Sequence, residues 1–168
     1  FDNCRIPAEN ILGTQGSGAK NLFAILAQIR VMTGALGLGL LRAAYALAVD
    51  YSKQRSAFGR PIAKFQAIQH KIADMAVDTE LAHLAVYYGA WLIDNKKHCN
   101  KEAAIAKLFS TEAANKAADE ATRIFASYGF AMEYPIQRHY RDARFLLIGG
   151  GTSEILRNII ANEVIGKI

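Results

Sequence analysis

Apolar side chains recur every three or four residues along most of this chain, which is the spacing of one face of an α-helix. The periodicity predicts a long first helix from about Ala19 to Arg55, with Leu22, Ile25 and Ile29 on its apolar face. Further helices are predicted from about Ile62 or Lys64 to Lys96, Lys101 to Tyr128, Pro135 to Leu147 and Leu156 to Ile165. Long helices joined by short loops predict an all-α fold, an antiparallel four-helix bundle with short C-terminal helices.

The first residues of the chain follow a different pattern. Pro7 and Gly13 interrupt the apolar positions Ile6, Ile11 and Leu12, which predicts a strand end and a loop. We therefore expect residues 1–15 to be the tail of a preceding β domain and a linker, and residues 16–168 to form the helical domain. No strand is predicted after residue 15. Because the chain opens on phenylalanine and not on methionine, we expect it to be a fragment of a longer protein.

Three glycines lie inside the predicted first helix, at Gly34, Gly37 and Gly39. Each costs up to about 1 kcal/mol relative to alanine within a helix. The spacing superficially resembles a dinucleotide fingerprint, but no strand precedes it, so that interpretation is rejected. We expect a neighbouring helix or a ligand to pack closely against these glycines.

Composition and charge exclude several classes of protein and of binding partner. The chain is 52% hydrophobic, which excludes disorder, and its net charge of +5 is spread along the sequence, so nucleic acid is not an expected partner. Neither the histidines nor Cys4 and Cys99 show metal-ligand spacing, and both thiols are expected to be reduced. The longest uncharged run, from Val31 to Leu41, is much shorter than the roughly 20 residues of a membrane span, so none is expected.

The most informative segment is the run Gly149-Gly150-Gly151 followed by Thr152 and Glu154. Threonine followed by an acid predicts the start of a helix. A backbone without side chains that enters a helix N-terminus suits an anionic or planar ligand. The alternative is a glycine-rich turn between two helices.

Four segments, taken together, resemble the C-terminal domain of the acyl-CoA dehydrogenase family. The first is the stretch Phe1 to Gly13, and the second is Arg55-Ser56-Ala57-Phe58-Gly59-Arg60-Pro61-Ile62 with Phe65 to Gln69. The third comprises Tyr128 to Phe130, Glu133-Tyr134 and Tyr140 to Ala143, and the fourth is Gly151-Thr152-Ser153-Glu154-Ile155. The segments occur in the family's order and spacing, and the resemblance covers essentially the whole chain.

The resemblance implies a four-helix bundle that assembles as a dimer of dimers, with FAD bound at a subunit interface. It implies α,β-dehydrogenation of an acyl-CoA substrate, an electron-transfer partner, and a location in a bacterial cytoplasm or a mitochondrial matrix. The site residues that it implies are Arg55, Phe58 and Gln66 at the adenine–pyrophosphate end of FAD, Thr152 and Glu154 near the glycine turn, and Arg30 and Gly151 on the substrate side.

The chain departs from the family pattern at its most important position. The family's catalytic base is a glutamate that precedes the Gly-Thr pair, or in some members the residue before the conserved arginine. These positions hold Gly150 and Ile29 here, and neither can accept a proton. A glutamine of the family is replaced by Arg123, which we expect to serve as a substitute phosphate partner.

Three functions stay open from the sequence. The first is a flavin-dependent acyl-CoA dehydrogenase whose base lies elsewhere. The second is a family member without dehydrogenase chemistry, either a partner subunit of a hetero-oligomer or a flavin oxidase or monooxygenase. The third is a non-catalytic helical oligomerisation module. The isolated chain is expected to be inactive.

Overall fold

The computed structural model describes residues 1–166 and confirms the all-α fold. Its helices are α1 (Gly18–Gln54), α2 (Gln66–Asp94), α3 (Asn100–Phe125), α4 (Ile136–Leu146) and α5 (Ser153–Ile165). Short 3-10 turns occupy Ala8–Asn10, Ile62–Lys64 and Ala126–Gly129.

The expectation that no strand follows residue 15 was wrong. Two short strands, β1 (Ser56–Ala57) and β2 (Arg60–Pro61), pair antiparallel between α1 and α2. Their connection, Phe58 and Gly59, has φ values of +52° and +78°. Positive φ at both central residues is the requirement of the tight hairpin turn whose twist matches that of the strands. Periodicity misses such a hairpin because its strands are too short to show alternation.

The predicted strand end within residues 1–15 is also not found. This segment contains only the 3-10 turn Ala8–Asn10, and its residues are exposed. A strand needs a neighbouring strand to satisfy its backbone groups, and the described part of the chain offers none to this segment.

The helices α1 and α3 run parallel and very close together, because glycine lines their contact. A Cβ atom on Gly34 would lie 3.1 Å from the carbonyl oxygen of Ala106, and one on Gly37 would lie 3.0 Å from that of Ser110. Close helix packing therefore explains these two glycines, as predicted. It does not explain Gly39, where a Cβ would meet nothing within 4 Å.

The central helix of the domain is α3, which α1, α2, α4 and α5 all contact. It can be surrounded because alanine dominates its buried positions, which include Ala103, Ala106, Ala114 and Ala117. Lys71 of α2 pairs with Glu120 of α3, and Asp78, further along α2, pairs with Lys116, which is earlier in α3. The two helices are therefore antiparallel.

By length and composition alone α1 could cross a membrane, since an 18-residue window of it has a mean hydropathy of 1.6. This differs from the expectation drawn from its short uncharged run. In the structure 41% of that window is buried inside the domain, and the core helices of water-soluble proteins meet the same criterion. The apolar character of α1 is thus accounted for, at least in part, by packing.

Candidate functional site

The glycine segment forms a turn that leads directly into α5. Gly150 and Gly151 have φ values of +74° and +108°, which residues with a side chain rarely adopt. Thr152 is the N-cap of α5, and its hydroxyl accepts a hydrogen bond of 3.5 Å from the backbone N–H of Ile155. The structure therefore confirms the prediction that backbone without side chains, at Gly150 and Gly151, leads into a helix that Thr152 caps.

A buried lysine of α3 donates a hydrogen bond to this turn. Lys107 of α3 is 0% exposed, and its Nζ donates a 2.7 Å hydrogen bond to the carbonyl oxygen of Gly151. Burial lowers the pKa of Lys107, an effect that Glu112 and Glu154 oppose. Lys107 thus holds the turn through a neutral carbonyl, while the nearby carboxylates of Glu112 and Glu154 supply the opposing negative charge.

Thr33 of α1 closes the space beside Gly150. A Cβ atom on Gly150 would lie 3.0 Å from Thr33 Oγ1, which itself donates a 2.8 Å hydrogen bond to the carbonyl of Ile29. A side chain at position 150 would therefore be both strained in its backbone and crowded by this hydroxyl.

One helical turn before Thr33, Arg30 is only 7% exposed. Its Nη1 donates a 2.8 Å hydrogen bond to Asn100 Oδ1, and Asn100 in turn donates to Glu163 Oε1 at 2.9 Å. Arg30 Nε is buried, and no group among residues 1–166 bonds to it. Desolvation lowers the pKa of Arg30. Arg30 also lines a surface cleft with Lys97 and His98.

Two carboxylates lie near the turn, and each already accepts hydrogen bonds. Glu154, in the first turn of α5, is exposed, and hydrogen bonds from its own backbone N–H and from Thr152 lower its pKa. Glu112 accepts hydrogen bonds from Arg157 at 2.8 and 3.0 Å. A carboxylate whose charged form is stabilised is a poorer proton acceptor.

A second group of site residues surrounds the β1–β2 hairpin, at the far end of α1. Phe58 at its tip is 95% exposed, and Gln66 begins α2 with its side chain at the surface. The guanidinium of Arg55 lies 5.7 Å from the ring centroid of Tyr128, and that of Arg60 lies 4.4 Å from the ring of Phe65. The hairpin thus presents an exposed aromatic ring flanked by cations.

Arg123 lies near the C-terminal end of α3, and its Nε donates a 2.8 Å hydrogen bond to Asp119 Oδ2 on the same helix. This pairing raises its pKa. The residue that follows the helix, Ala126, has φ +52° and ψ −131°, a conformation suited to glycine. Ala126 therefore carries its methyl group at a point of strained backbone.

The structure separates the predicted site residues into two groups. Thr33 and Arg55 are about 33 Å apart along α1 at 1.5 Å per residue. The turn therefore lies beside the middle of α1, whereas the hairpin follows the C-terminal end of this helix.

Neither Lys107 nor Thr33 is among the site residues predicted from the sequence. A signal existed for Lys107, because it falls on the alanine face of α3, between Ala103 and Ala114.

Comparison with known proteins agrees with the motifs. The model of the family described as acyl-CoA dehydrogenase, C-terminal domain, matches residues 16–165. A benzylmalonyl-CoA dehydrogenase from Aromatoleum aromaticum is 54% identical over 165 residues, covering 98% of this chain and 44% of the relative. The human mitochondrial short-chain specific acyl-CoA dehydrogenase is 44% identical over 165 residues, covering 98% and 40%.

The fold agrees as closely as the sequence. The structure of butyryl-CoA dehydrogenase from Megasphaera elsdenii matches with a TM-score of 0.94 at 40% identity, over 96% of this chain and 42% of that one. The chain spans less than half the length of each of these three proteins.

Proposed function

The chain belongs to the acyl-CoA dehydrogenase family as its C-terminal domain, and on this premise we propose that the full-length protein catalyses α,β-dehydrogenation of an acyl-CoA thioester with FAD. The observation that carries the proposal is the turn at Gly150 and Gly151, which leaves the backbone bare beside the N-terminus of α5. Bound FAD would accept the hydride, which no side chain can do.

The two groups of residues fit the two ends of FAD. At the hairpin, Phe58 offers an exposed ring for stacking on adenine, Arg55 a guanidinium for the pyrophosphate, and Gln66 an amide. At the turn, glycine backbone and the N-cap Thr152 permit close approach of the flavin ring. We place Glu154 beside it, Arg30 and Gly151 on the substrate side, and Arg123 as an additional phosphate partner.

We infer that a complete site needs more than one copy of the chain. The separation of about 33 Å along α1 prevents one molecule's hairpin from contacting its own turn. A neighbour's hairpin would complete the site in a dimer of dimers. The exposed apolar stripe along α2 supports such assembly, because large exposed patches mark interaction surfaces. The stripe comprises Val77, Leu81, Leu84, Tyr88 and Trp91.

We further infer an electron-transfer partner for the reduced flavin and a location in the bacterial cytoplasm or mitochondrial matrix. The competing function is a family member that does not remove an α-proton: a partner subunit, or a flavin oxidase or monooxygenase. It is favoured by the absence of a carboxylate at Gly150 and Ile29. The third alternative is an oligomerisation module without catalysis.

The test uses the purified full-length protein, mixed anaerobically with a panel of acyl-CoA thioesters while the flavin absorbance is followed. Bleaching by at least one thioester is expected. The relative from Aromatoleum aromaticum is named for benzylmalonyl-CoA, a thioester with a carboxyl group on its α-carbon, so the panel includes such compounds. A yellow protein that none of them bleaches would favour the competing function, and a colourless one would favour the module.

FAD binding has its own test at the hairpin. Arg55→Ala should weaken FAD binding by about 10- to 100-fold, since a hydrogen bond to a charged group contributes roughly 1.5–3 kcal/mol. Lys53→Ala, which removes an exposed cation from the last turn of the same helix, is the matched control and should keep full occupancy. Equal FAD content in both variants would argue against the hairpin as the phosphate site.

A further inference from the structure

The peptide unit between Gly151 and Thr152 lies at the point where the glycine turn enters α5. Its carbonyl oxygen accepts the 2.7 Å hydrogen bond from Lys107 Nζ. The described chain contains no cis peptide bond, and in a trans peptide the C=O and N–H groups point in opposite directions. Because Lys107 is fully buried in α3, the carbonyl is directed toward the interior and the N–H of Thr152 is directed away from it.

The N–H of Thr152 has no acceptor within the part of the chain that the structure describes. Its nitrogen donates to no carbonyl or side chain among residues 1–166, and its hydroxyl already serves Ile155 as the N-cap acceptor. The first N–H groups of a helix lack a carbonyl partner in their own helix, so they are satisfied by other groups, by water or by a ligand. Thr152 is half-buried, and its N–H is therefore available to a ligand at the turn.

Lys107 decides which side of the turn carries this N–H. Rotation of the peptide unit would exchange its two polar groups, and glycine at position 151, with φ +108°, tolerates the backbone angles that such a rotation needs. In the rotated turn the ammonium group of Lys107 would meet an N–H, and an ammonium group can only donate hydrogen bonds. The buried lysine thus selects one of two orientations that a glycine backbone permits.

Packing alone does not account for a lysine at position 107. Fully buried lysines are rare, and a hydrophobic side chain of similar volume often replaces a buried charge without loss of stability. Among residues 1–166 the Nζ atom of Lys107 bonds only to the Gly151 carbonyl. Glu112 and Glu154 oppose the lowering of its pKa by burial and so favour the charged form, which makes a stronger hydrogen bond than a neutral donor. The action of Lys107 on the turn therefore explains its presence.

We propose that Lys107 is a positioning residue of the flavin site: it holds the N–H of Thr152 toward bound FAD, as a donor to a carbonyl oxygen of the flavin ring. The inference rests on the proposed binding of FAD at the turn. The cation also polarises the peptide whose carbonyl it bonds, which makes the N–H of that peptide a stronger donor. A donor to a flavin carbonyl stabilises the negative charge that the ring gains on reduction. Lys107 therefore raises the reduction potential of the flavin without touching it.

The test measures the two-electron reduction potential of the flavin in the FAD-loaded full-length protein, by titration against a reference dye. Lys107→Met removes the donor and keeps an unbranched side chain of similar length. Its potential should be lower by about 30 mV, which corresponds to a tenfold loss of affinity for reduced relative to oxidised FAD. Lys101→Met, at a partly exposed lysine in the first turn of the same helix, is the matched control and should keep the wild-type potential. A lysine that only stabilised the fold would leave the potential unchanged wherever FAD stays bound.

A second substitution separates positioning from a direct effect of the lysine charge. Gly151→Ala keeps Lys107 but disfavours φ +108°, a value that alanine rarely adopts, so the peptide should leave its present orientation. The added Cβ would meet Leu156 and Ile155 only at the ordinary contact distances of 3.7 and 3.8 Å. If Lys107 acts by holding the peptide, Gly151→Ala should lower the potential by a similar amount. Adding Lys107→Met to it should then change the potential little further, because both changes remove the same interaction.

The N–H of Thr152 can also be observed directly by amide hydrogen exchange. In the wild type, bound FAD should slow exchange at this amide by at least about tenfold, because a hydrogen-bonded amide must open before it exchanges. In Lys107→Met the slowing should be smaller, while Lys101→Met should behave as the wild type. Exchange at Thr152 that is as fast with FAD as without it would contradict the hydrogen bond.

The outcomes separate this inference from the proposed function. A wild-type potential in FAD-loaded Lys107→Met would overturn the inference and leave dehydrogenation to the thioester test. A lower potential in Lys107→Met with a wild-type value in Gly151→Ala would show that the charge acts through space, which also overturns the positioning role. A full-length protein that binds no FAD would overturn both proposals.

A milder variant keeps the test decisive if Lys107→Met does not fold or loses its flavin. Lys107→Gln keeps a neutral donor on a slightly shorter side chain. It should lower the affinity for reduced relative to oxidised FAD by about threefold, or about 14 mV in potential. A potential equal to that of the wild type in this variant would refute the role of Lys107.

Discussion

The close contact between α1 and α3 leads to a prediction in which two neighbouring glycines respond to the same substitution with opposite signs. A Cβ on Gly37 would lie 3.0 Å from both the carbonyl carbon and oxygen of Ser110 and 3.1 Å from the backbone nitrogen of Thr111. These are backbone atoms of a buried helix, so they can yield only if α1 and α3 separate. A Cβ on Gly39 would meet nothing within 4 Å.

The magnitude follows from two opposing effects. Alanine stabilises a helix interior by about 1 kcal/mol relative to glycine, and this gain applies at both positions. At Gly37 the added methyl also overpacks the interface, which typically costs about 1–3 kcal/mol. We therefore expect Gly39→Ala to raise the free energy of unfolding by about 1 kcal/mol and Gly37→Ala to lower it by about 1 kcal/mol.

Urea unfolding of the purified protein, followed by helical circular dichroism, measures both variants under one condition. The difference between them, about 2 kcal/mol, is well above the error of comparing midpoints at a common slope. Equal stabilisation by both substitutions would refute the close approach of α1 to α3. Because Thr33 and Lys107 reach the turn from these two helices, Gly37→Ala should also weaken substrate binding, whereas Gly39→Ala should not.

Three further predictions concern stability. Ala126→Gly should stabilise the protein by about 1 kcal/mol, because it relieves roughly 1–3 kcal/mol of backbone strain at φ +52° and loses part of this gain to the greater entropy of glycine in the unfolded chain. A thermal unfolding midpoint below that of the wild type would contradict the strain. Phe125→Ala should lower the free energy of urea unfolding by about 3–5 kcal/mol, because the buried ring of Phe125 stacks on Tyr51. Phe130 is 88% exposed, so Phe130→Ala should change this free energy very little. Similar losses in the two variants would contradict the burial of Phe125. Desolvation lowers the pKa of His139 below 6.5, so the unfolded chain binds the proton more readily than the folded one, and the free energy of unfolding should fall as the pH drops below 6.5. Between pH 7 and 5, the free energy of unfolding of His139→Leu should fall less than that of the wild type. Equal pH profiles for the two proteins would show that His139 does not cause the loss of stability.

Periodicity placed the helices well, because each long helix repeats its apolar residues over many turns. The boundaries were less accurate, since they depend on single residues: α3 ends at Phe125 and not at Tyr128, where Ala126 leaves the helical region. The hairpin was missed because paired strands of two residues leave no alternation to detect.

The helical architecture, the bare turn before α5, and the absence of a proton acceptor at Gly150 and Ile29 can all be read from the amino-acid sequence. These features depend on local pattern or on residue identity. Which charged side chains are buried depends instead on how the helices pack. Lys107 meets a carbonyl 44 positions away and Arg30 an amide 70 positions away, so their burial depends on packing between segments distant in the chain. A lysine or arginine is ordinarily expected at the surface, and only the packed bundle buries both.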